Sequence, residues 1–352
     1  MLRFYRPLIV IATLLAFGVI SLGAYVRLSD AGLGCPDWPG CYGQLVGVPD
    51  AAREQSAALK AFPDRPVEAH KAWKEMVHRY FAGTLGLLIV LIVVLAWRHR
   101  LHLQQSPALP MALLAVVGLQ AALGMWTVTL LLKPVIVSAH LLGGMTTLAL
   151  LVWLLLRQRA LGRPLSSTAR LRLHAALALL TVIVQIALGG WVSSNYAALA
   201  CSDFPTCLGG WMPEMDFAHA FQFHRELGQT ADGALLSNAA LTAIHWSHRV
   251  GALVVTLIVG SLVFVLSRQL DGRNWASFLV TCLLLQIGLG IANILLTLPL
   301  PIAVAHNAGA ALLLAATLAL NVRLGQNAAT ANTLAGTPVK RRSSVRGIQH
   351  AR

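Results

Sequence analysis

Eight separate stretches of this chain are apolar over the ~20 residues that a helix needs to cross a bilayer. They lie at 7–27, 77–97, 108–131, 136–156, 173–193, 241–266, 275–296 and 302–322. A lipid core offers no water to unpaired backbone groups, so each stretch has to close its own hydrogen bonds and is predicted to be an α-helix. Only 11% of the residues are charged, against roughly 25% in soluble domains. The expected fold class is therefore an all-α polytopic membrane protein with eight transmembrane helices. Arg3 and Arg6 precede the first stretch, which has no small-residue cleavage site, and Arg27 follows it. It reads as a retained helix and not as a signal peptide. No Arg- and Ser-rich presequence stands before it, which points to a bacterial inner membrane.

The formal net charge is +14, and its distribution excludes a nucleic-acid partner. Arg3, Arg6, Arg98, Arg100, Arg157, Arg159, Arg163, Arg170, Arg172, Arg268, Arg273 and Arg323 fall on one side of an eight-helix chain, as does the tail from Lys340 through Arg341 and Arg342 to Arg346. Basic residues gather on the cytoplasmic side of membrane proteins, so both termini are expected inside, and the tail is expected to lie near anionic lipid. The long loops at 28–75 and 194–240 then face outward. Each carries a close cysteine pair, Cys35 with Cys41 and Cys201 with Cys207, and outside the cytoplasm such pairs are expected as disulfides. Cys282, within the seventh stretch, reads as a small buried apolar residue.

The two halves of the chain correspond. Cys35-Pro36-Asp37-Trp38-Pro39-Gly40-Cys41 is echoed by Cys201-Ser202-Asp203-Phe204-Pro205-Thr206-Cys207, and His78-Arg79 by His248-Arg249. Gln120-Ala121-Ala122-Leu123-Gly124 matches Gln286-Ile287-Gly288-Leu289-Gly290, and the Lys133-Pro134 turn before His140 resembles Pro299-Leu300-Pro301 before His306. Four helices per half give two tandem four-helix bundles entering the membrane from the same side, as parallel repeats about an axis along the membrane normal. The expected division is 1–160, 161–325 and a basic, disordered cytoplasmic tail over 326–352.

Ionisable residues inside a membrane are costly and mark function. Of the twelve histidines, four recur at matching places near the outer ends of the even-numbered helices: His78, His140, His248 and His306. Two imidazoles facing each other across a helix bundle suit the axial positions of a haem, so one haem is expected in each half. Arg79 and Arg249 are delocalised cations placed to meet haem propionates. Gly83, Gly86, Gly124, Gly143, Gly144, Gly251, Gly288, Gly290 and Gly309 would let a flat macrocycle approach the backbone. Zinc would want a further Cys, Asp or Glu ligand, and no Cys-x-x-Cys-His motif allows covalent attachment of a haem. His70, His99, His102, His174, His219, His224 and His350 read as solvated.

The halves differ three residues before the first ligand histidine. Glu75 shares a helix face with His78, where a carboxylate can exchange protons with a bound group; it is also spaced to pair with Arg79. His245 stands at the matching place. The asymmetry points to chemistry in the first half and electron storage in the second.

Cys35…Cys41, Glu75-x-x-His78-Arg79, His140, Cys201…Cys207, His248-Arg249 and His306, in this order from about Arg6 to Arg323, resemble the heme A synthase family of the cytochrome oxidase assembly pathway. The resemblance implies an enzyme that oxidises the C8 methyl of haem O to a formyl group, by two hydroxylations and loss of water, to give haem A. It further implies that His78 and His140 hold the substrate haem O, that His248 and His306 hold a resident haem b, and that Glu75 is catalytic. The first cysteine pair would be functionally important and the second a structural staple. The partners implied are a haem O synthase delivering substrate, an electron acceptor of unspecified identity, membrane lipid and a second copy of the chain. Two other readings stay open: a di-haem b-type, quinol-linked electron carrier with both haems fixed, and a transporter built from parallel repeats. Farnesyl transfer to haem is disfavoured, because no pair of Asp-rich magnesium motifs is present.

Overall fold

In the computed structural model, residues 2–103, 105–158, 165 and 168–335 are described, Leu2 and 326–335 by backbone alone. Eight long helices dominate: α1 (Leu2–Leu28), α2 (Ala69–Arg98), α3 (Ala108–Thr129), α4 (Pro134–Arg157), α5 (Ala169–Ser194), α6 (Asn238–Ser267), α7 (Arg273–Leu295) and α8 (Leu300–Ala335). All eight are long and apolar enough to span a membrane. The chain is thus an all-helical, multi-pass membrane protein, as its apolar runs predict.

Helix starts are set by local chemistry. Ser237 caps α6 by accepting the Ala240 N–H at 3.1 Å, Thr168 caps α5 through Leu171 N–H at 3.1 Å, and Pro134 opens α4, where a missing N–H costs nothing. Several helices outrun their apolar stretches, among them α2, which begins at Ala69, and α6, which begins at Asn238. The histidines His78 and His248 therefore sit about three turns in, while His140 and His306 sit about two turns in. The last helix, α8, runs to Ala335, past residue 326 where the tail is expected to begin. Arg159, Arg163 and the tail residues Lys340, Arg341, Arg342, Arg346 and His350 lie outside the described residues.

Neighbouring helices close into two rings. In the first, α1 packs on α2, α2 on α3, α3 on α4 and α4 back on α1; in the second, α5 to α8 repeat that order. The rings meet where α1 touches α8, α4 touches α5, and α4 touches α8. This seam is mostly apolar, with a few buried polar ties. Ser138 and Ser194 share a hydrogen bond at 3.0 Å across it. Arg27 reaches from the end of α1 to the Ser193 carbonyl at 3.1 Å and stacks over Tyr196.

The backbone conformation recurs as well. Left-handed non-glycine residues fall at Asp30, Tyr42, Leu131 and Leu132, and again at Tyr196, Leu208, Thr297 and Leu298. Each such residue costs roughly 1–2 kcal/mol. Their recurrence shows both halves holding the same tight turns after the odd-numbered helices.

Both cysteine pairs are bonded, Cys35 to Cys41 and Cys201 to Cys207. Within each small ring the aspartate folds the turn that follows. Asp37 accepts the N–H groups of Tyr42 and Gly43 at 2.6 and 2.7 Å; Asp203 accepts those of Leu208 and Gly209 at 2.5 and 3.0 Å. The Thr206 hydroxyl, which also donates to Asp203, and these backbone donors hold the Asp203 carboxyl below the usual carboxylate range. A depressed pKa contributes stability above the unfolded value that is lost as pH falls through the folded one. Acidification below about pH 4 is therefore expected to raise hydrogen exchange at residues 201–210, and Asp203→Asn, which keeps one acceptor oxygen and does not titrate, should abolish that pH dependence.

The rest of the second loop is anchored by Arg225, whose side chain is almost wholly buried. It donates to Asn195 Oδ1 at 2.5 Å and to the Gln229 carbonyl at 3.3 Å, and lies against Trp191. Burial pushes its guanidinium pKa down, from a value high enough that it stays charged.

Candidate functional site

The ring topology decides how the four recurring histidines meet. His78 on α2 and His140 on α4 belong to helices that do not touch; they stand diagonally across the first ring, as do α6 and α8 with His248 and His306 across the second. His78 is within electrostatic reach of His140, and His248 of His306. Every one of the four rings rests on a glycine of the helix before it. A methyl group added at Gly23, Gly124, Gly189 or Gly290 would lie 3.0, 3.3, 3.0 or 3.1 Å from Cε1 of His78, His140, His248 or His306. Real Cβ contacts are rarely that close, so the glycines are seats for imidazoles.

These pairs fit a haem. Nδ1 of His78, His140 and His306 is buried without a hydrogen-bond partner, and a buried polar atom left unpaired is an expensive state that calls for an explanation. Among the described residues no three His, Cys, Asp or Glu side chains converge. Two imidazoles suffice for a metal that brings a macrocycle of its own, and diagonal helices hold them on opposite walls. Gly83 and Gly288 are exposed, with nothing within 4 Å of an added methyl group.

Above the histidines, each ring is tied to its disulfide loop by the same two contacts. Glu75, 5% exposed, accepts the Cys35 N–H at 3.0 Å through Oε2 and pairs with Arg79 through Oε1. Arg79 then donates to the carbonyls of Asp37 at 3.0 Å, Pro39 at 3.2 Å and Gly40. In the second half His245 accepts the Cys201 N–H at 3.2 Å through Nδ1, and Arg249 Nε meets His245 Nε2 at 3.3 Å. Arg249 also donates to the carbonyls of Thr206 at 2.7 Å and Cys201 at 2.9 Å. Both arginines, expected at propionates, thus donate to carbonyls of the cysteine loops. Glu75 and His245 do the same local job, and what separates them is chemistry: only Glu75 offers a carboxylate.

Some residues stand elsewhere than their sequence suggests. Gly143, Gly251 and Gly309 make room for glutamine amides: a Cβ there would lie 2.2, 2.2 and 2.3 Å from Gln120, Gln185 and Gln286. His174, expected to be solvated, holds Ser261 Oγ at 2.9 Å, and His219 pairs with Asp216 at 2.7 Å. Cys282 is free and buried, as expected of a small apolar residue. Sequence reasoning missed the seats Gly23 and Gly189 and the role of the three glutamines. The signal was there as spacing, Gln-x-x-x-Gly on the odd-numbered helices and His-x-x-Gly on the even-numbered ones.

Residues 6–318 match the family described as cytochrome oxidase assembly protein, COX15-CtaA. The chain is 45% identical over 307 residues to a heme A synthase of Shewanella oneidensis, covering 86% of this chain and 91% of the relative. It is 30% identical over 329 residues to a heme A synthase of Chelativorans sp., covering 87% and 86% of the two chains. A heme A synthase of Halalkalibacterium halodurans is 27% identical over 318 residues, 86% of this chain and 92% of that one. With its histidines paired across two rings and its sequence matched over nearly its whole length, the chain belongs to the heme A synthase family of cytochrome oxidase assembly proteins.

Proposed function

We propose that this chain is a heme A synthase, a membrane oxidoreductase that oxidises the C8 methyl of haem O to a formyl group and so makes haem A for a terminal oxidase. Its substrate is held in residues 1–160 by His78 and His140, and a resident haem b in residues 161–325 by His248 and His306. One observation carries this reading: two matched histidine pairs differ in the group poised beside them, a buried carboxylate at Glu75 and an imidazole at His245.

The resident haem, when bound, supplies one-electron redox chemistry. Turning a methyl into a formyl group removes four electrons, and with water as oxygen donor as many protons leave with them. Glu75 lies on the helix face it shares with His78 and takes the protons. Its orientation is fixed at both oxygens, by the Cys35 N–H and by Arg79, so no reorganisation is needed when the substrate arrives. The Cys35–Cys41 bond matters because it shapes the loop that presents that N–H and the carbonyls holding Arg79. The second disulfide does the same for Arg249 and serves as a staple. The loops lie on the outer face of the bacterial inner membrane and both termini in the cytoplasm, following the arginines. Haem O, delivered by a haem O synthase, enters from the lipid, and the electrons pass to an external acceptor.

The test is direct. Protein purified in lipid discs and given haem O with an oxidant should yield a haem with the mass and the pyridine spectrum of a formyl derivative. Recovery of haem O alone, from preparations that carry haem in both halves, would overturn the proposal.

A further inference from the structure

Three of the four candidate ligands share a feature that the fourth lacks. On α3, α5 and α7 a glutamine stands four residues before the glycine that seats the histidine: Gln120, Gln185 and Gln286. Its amide covers the histidine of the next helix. Gln120 donates to the His140 carbonyl at 2.9 Å, and Gln185 to the His248 carbonyl at 2.9 Å while standing 3.0 Å from His248 Nδ1. Gln286 Nε2 lies 3.4 Å from His306 Nε2. The amide fits because the residue three positions after each of these histidines is a glycine, where any Cβ would collide with it. Glutamine and glycine form a plug and its socket. The first hairpin has neither: Val19 stands four residues before Gly23, and Phe81 three residues after His78.

The difference bears on ligation. An imidazole that gives one nitrogen to a metal carries its proton on the other, and an acceptor for that N–H fixes the tautomer and holds the ring. Oε1 of all three glutamines is buried and unpartnered, as is Nδ1 of His140 and His306. The amide is held to the ligand residue's own carbonyl at His140 and His248, and it lies beside the ring at His248 and His306. His78 Nδ1 is buried and unpartnered too, but Val19 has no acceptor to offer.

We propose that Gln120, Gln185 and Gln286 are positioning residues that brace His140, His248 and His306 for lasting ligation, and that His78 is left unbraced as the exchangeable ligand through which the first half takes up its haem and releases it. The inference rests on the reading above, with substrate in the first half and a resident haem in the second. A site with two braced ligands retains its haem; a site with one can turn over. The unbraced ligand is also the one beside Glu75.

Full-length protein loaded in both halves with haem b as probe, then mixed with excess apomyoglobin, should lose haem in a fast and a slow phase. Installing the plug and socket together, Val19→Gln with Phe81→Gly, should slow the fast phase by about 10- to 100-fold, the usual scale of an outer-shell contact at a metal ligand. It should also raise the share of low-spin, bis-imidazole signal. Gln185→Leu with Gln286→Leu should speed the slow phase by a similar factor. An unchanged fast phase in a folded double variant overturns the proposal. If that variant fails to fold, the glutamine variants decide, and an unchanged slow phase overturns it. If His140→Ala removes no fast pool, the assignment of substrate to the first half fails instead, and the slow phase still tests the brace on His248 and His306.

Discussion

Glu75→Gln is expected to cut formyl-haem production by at least about 100-fold, the lower range for a lost acid–base group, while the protein folds and keeps its haem. Glutamine can still accept the Cys35 N–H, and Arg79 keeps the carbonyls of Asp37, Pro39 and Gly40. The cost to stability should thus stay below the ~3–5 kcal/mol of a stranded buried charge. The sharper variant is Glu75→His, because His245 shows that an imidazole at this place accepts the cysteine N–H, while its other nitrogen carries the proton and leaves the arginine to its carbonyls. Glu75→His should preserve the loop and abolish turnover. Haem content, thermal stability and product mass, measured on the same sample, separate the two roles. Turnover at the wild-type level in Glu75→His would show that the carboxylate serves only to hold the loop.

Removing a second-half ligand should have the largest effect on bound haem. In His306→Ala the retention of haem b is expected to fall at least about 10-fold, since even outer-shell changes cost that much. The low-spin bis-imidazole spectrum should vanish with it. The lost ring leaves a gap against Gly290, shaped by a seat that holds Cε1 so closely. Free imidazole should therefore restore the low-spin signal in His306→Ala, and in His248→Ala against Gly189. An intact bis-imidazole spectrum in either variant without added imidazole would remove that histidine from the ligand set.

Much of this architecture is legible from the apolar runs, because a membrane leaves the backbone few alternatives to a helix. The recurrence of His78, His140, His248 and His306 makes them stand out, and their diagonal placement follows once each helix packs on the next. The task of Arg79 and Arg249 is not legible in that way. Their partners are backbone carbonyls of the disulfide loops, and no side chain in the sequence advertises a carbonyl. Glu75 and His245 look like opposites on paper, yet both accept the N–H of the first cysteine of their loop. The glutamine sockets escape for another reason. Gln120 and Gly143 are complementary only across a hairpin, and neither residue is unusual in a membrane helix by itself.

The seam between the rings has a property that follows from its pairing alone. Exchanging the halves turns the α1–α8 contact into the α5–α4 contact and returns the α4–α8 contact to itself. Such a surface is isologous, the kind by which identical subunits make closed pairs. A polypeptide of only four such helices would meet a second copy of itself through the same faces and enclose the same two sites. The length of this chain therefore does not set the geometry of its seam. What the longer chain adds is freedom for the two copies to diverge, and Glu75 against His245, like Val19 against Gln185, shows where they have done so.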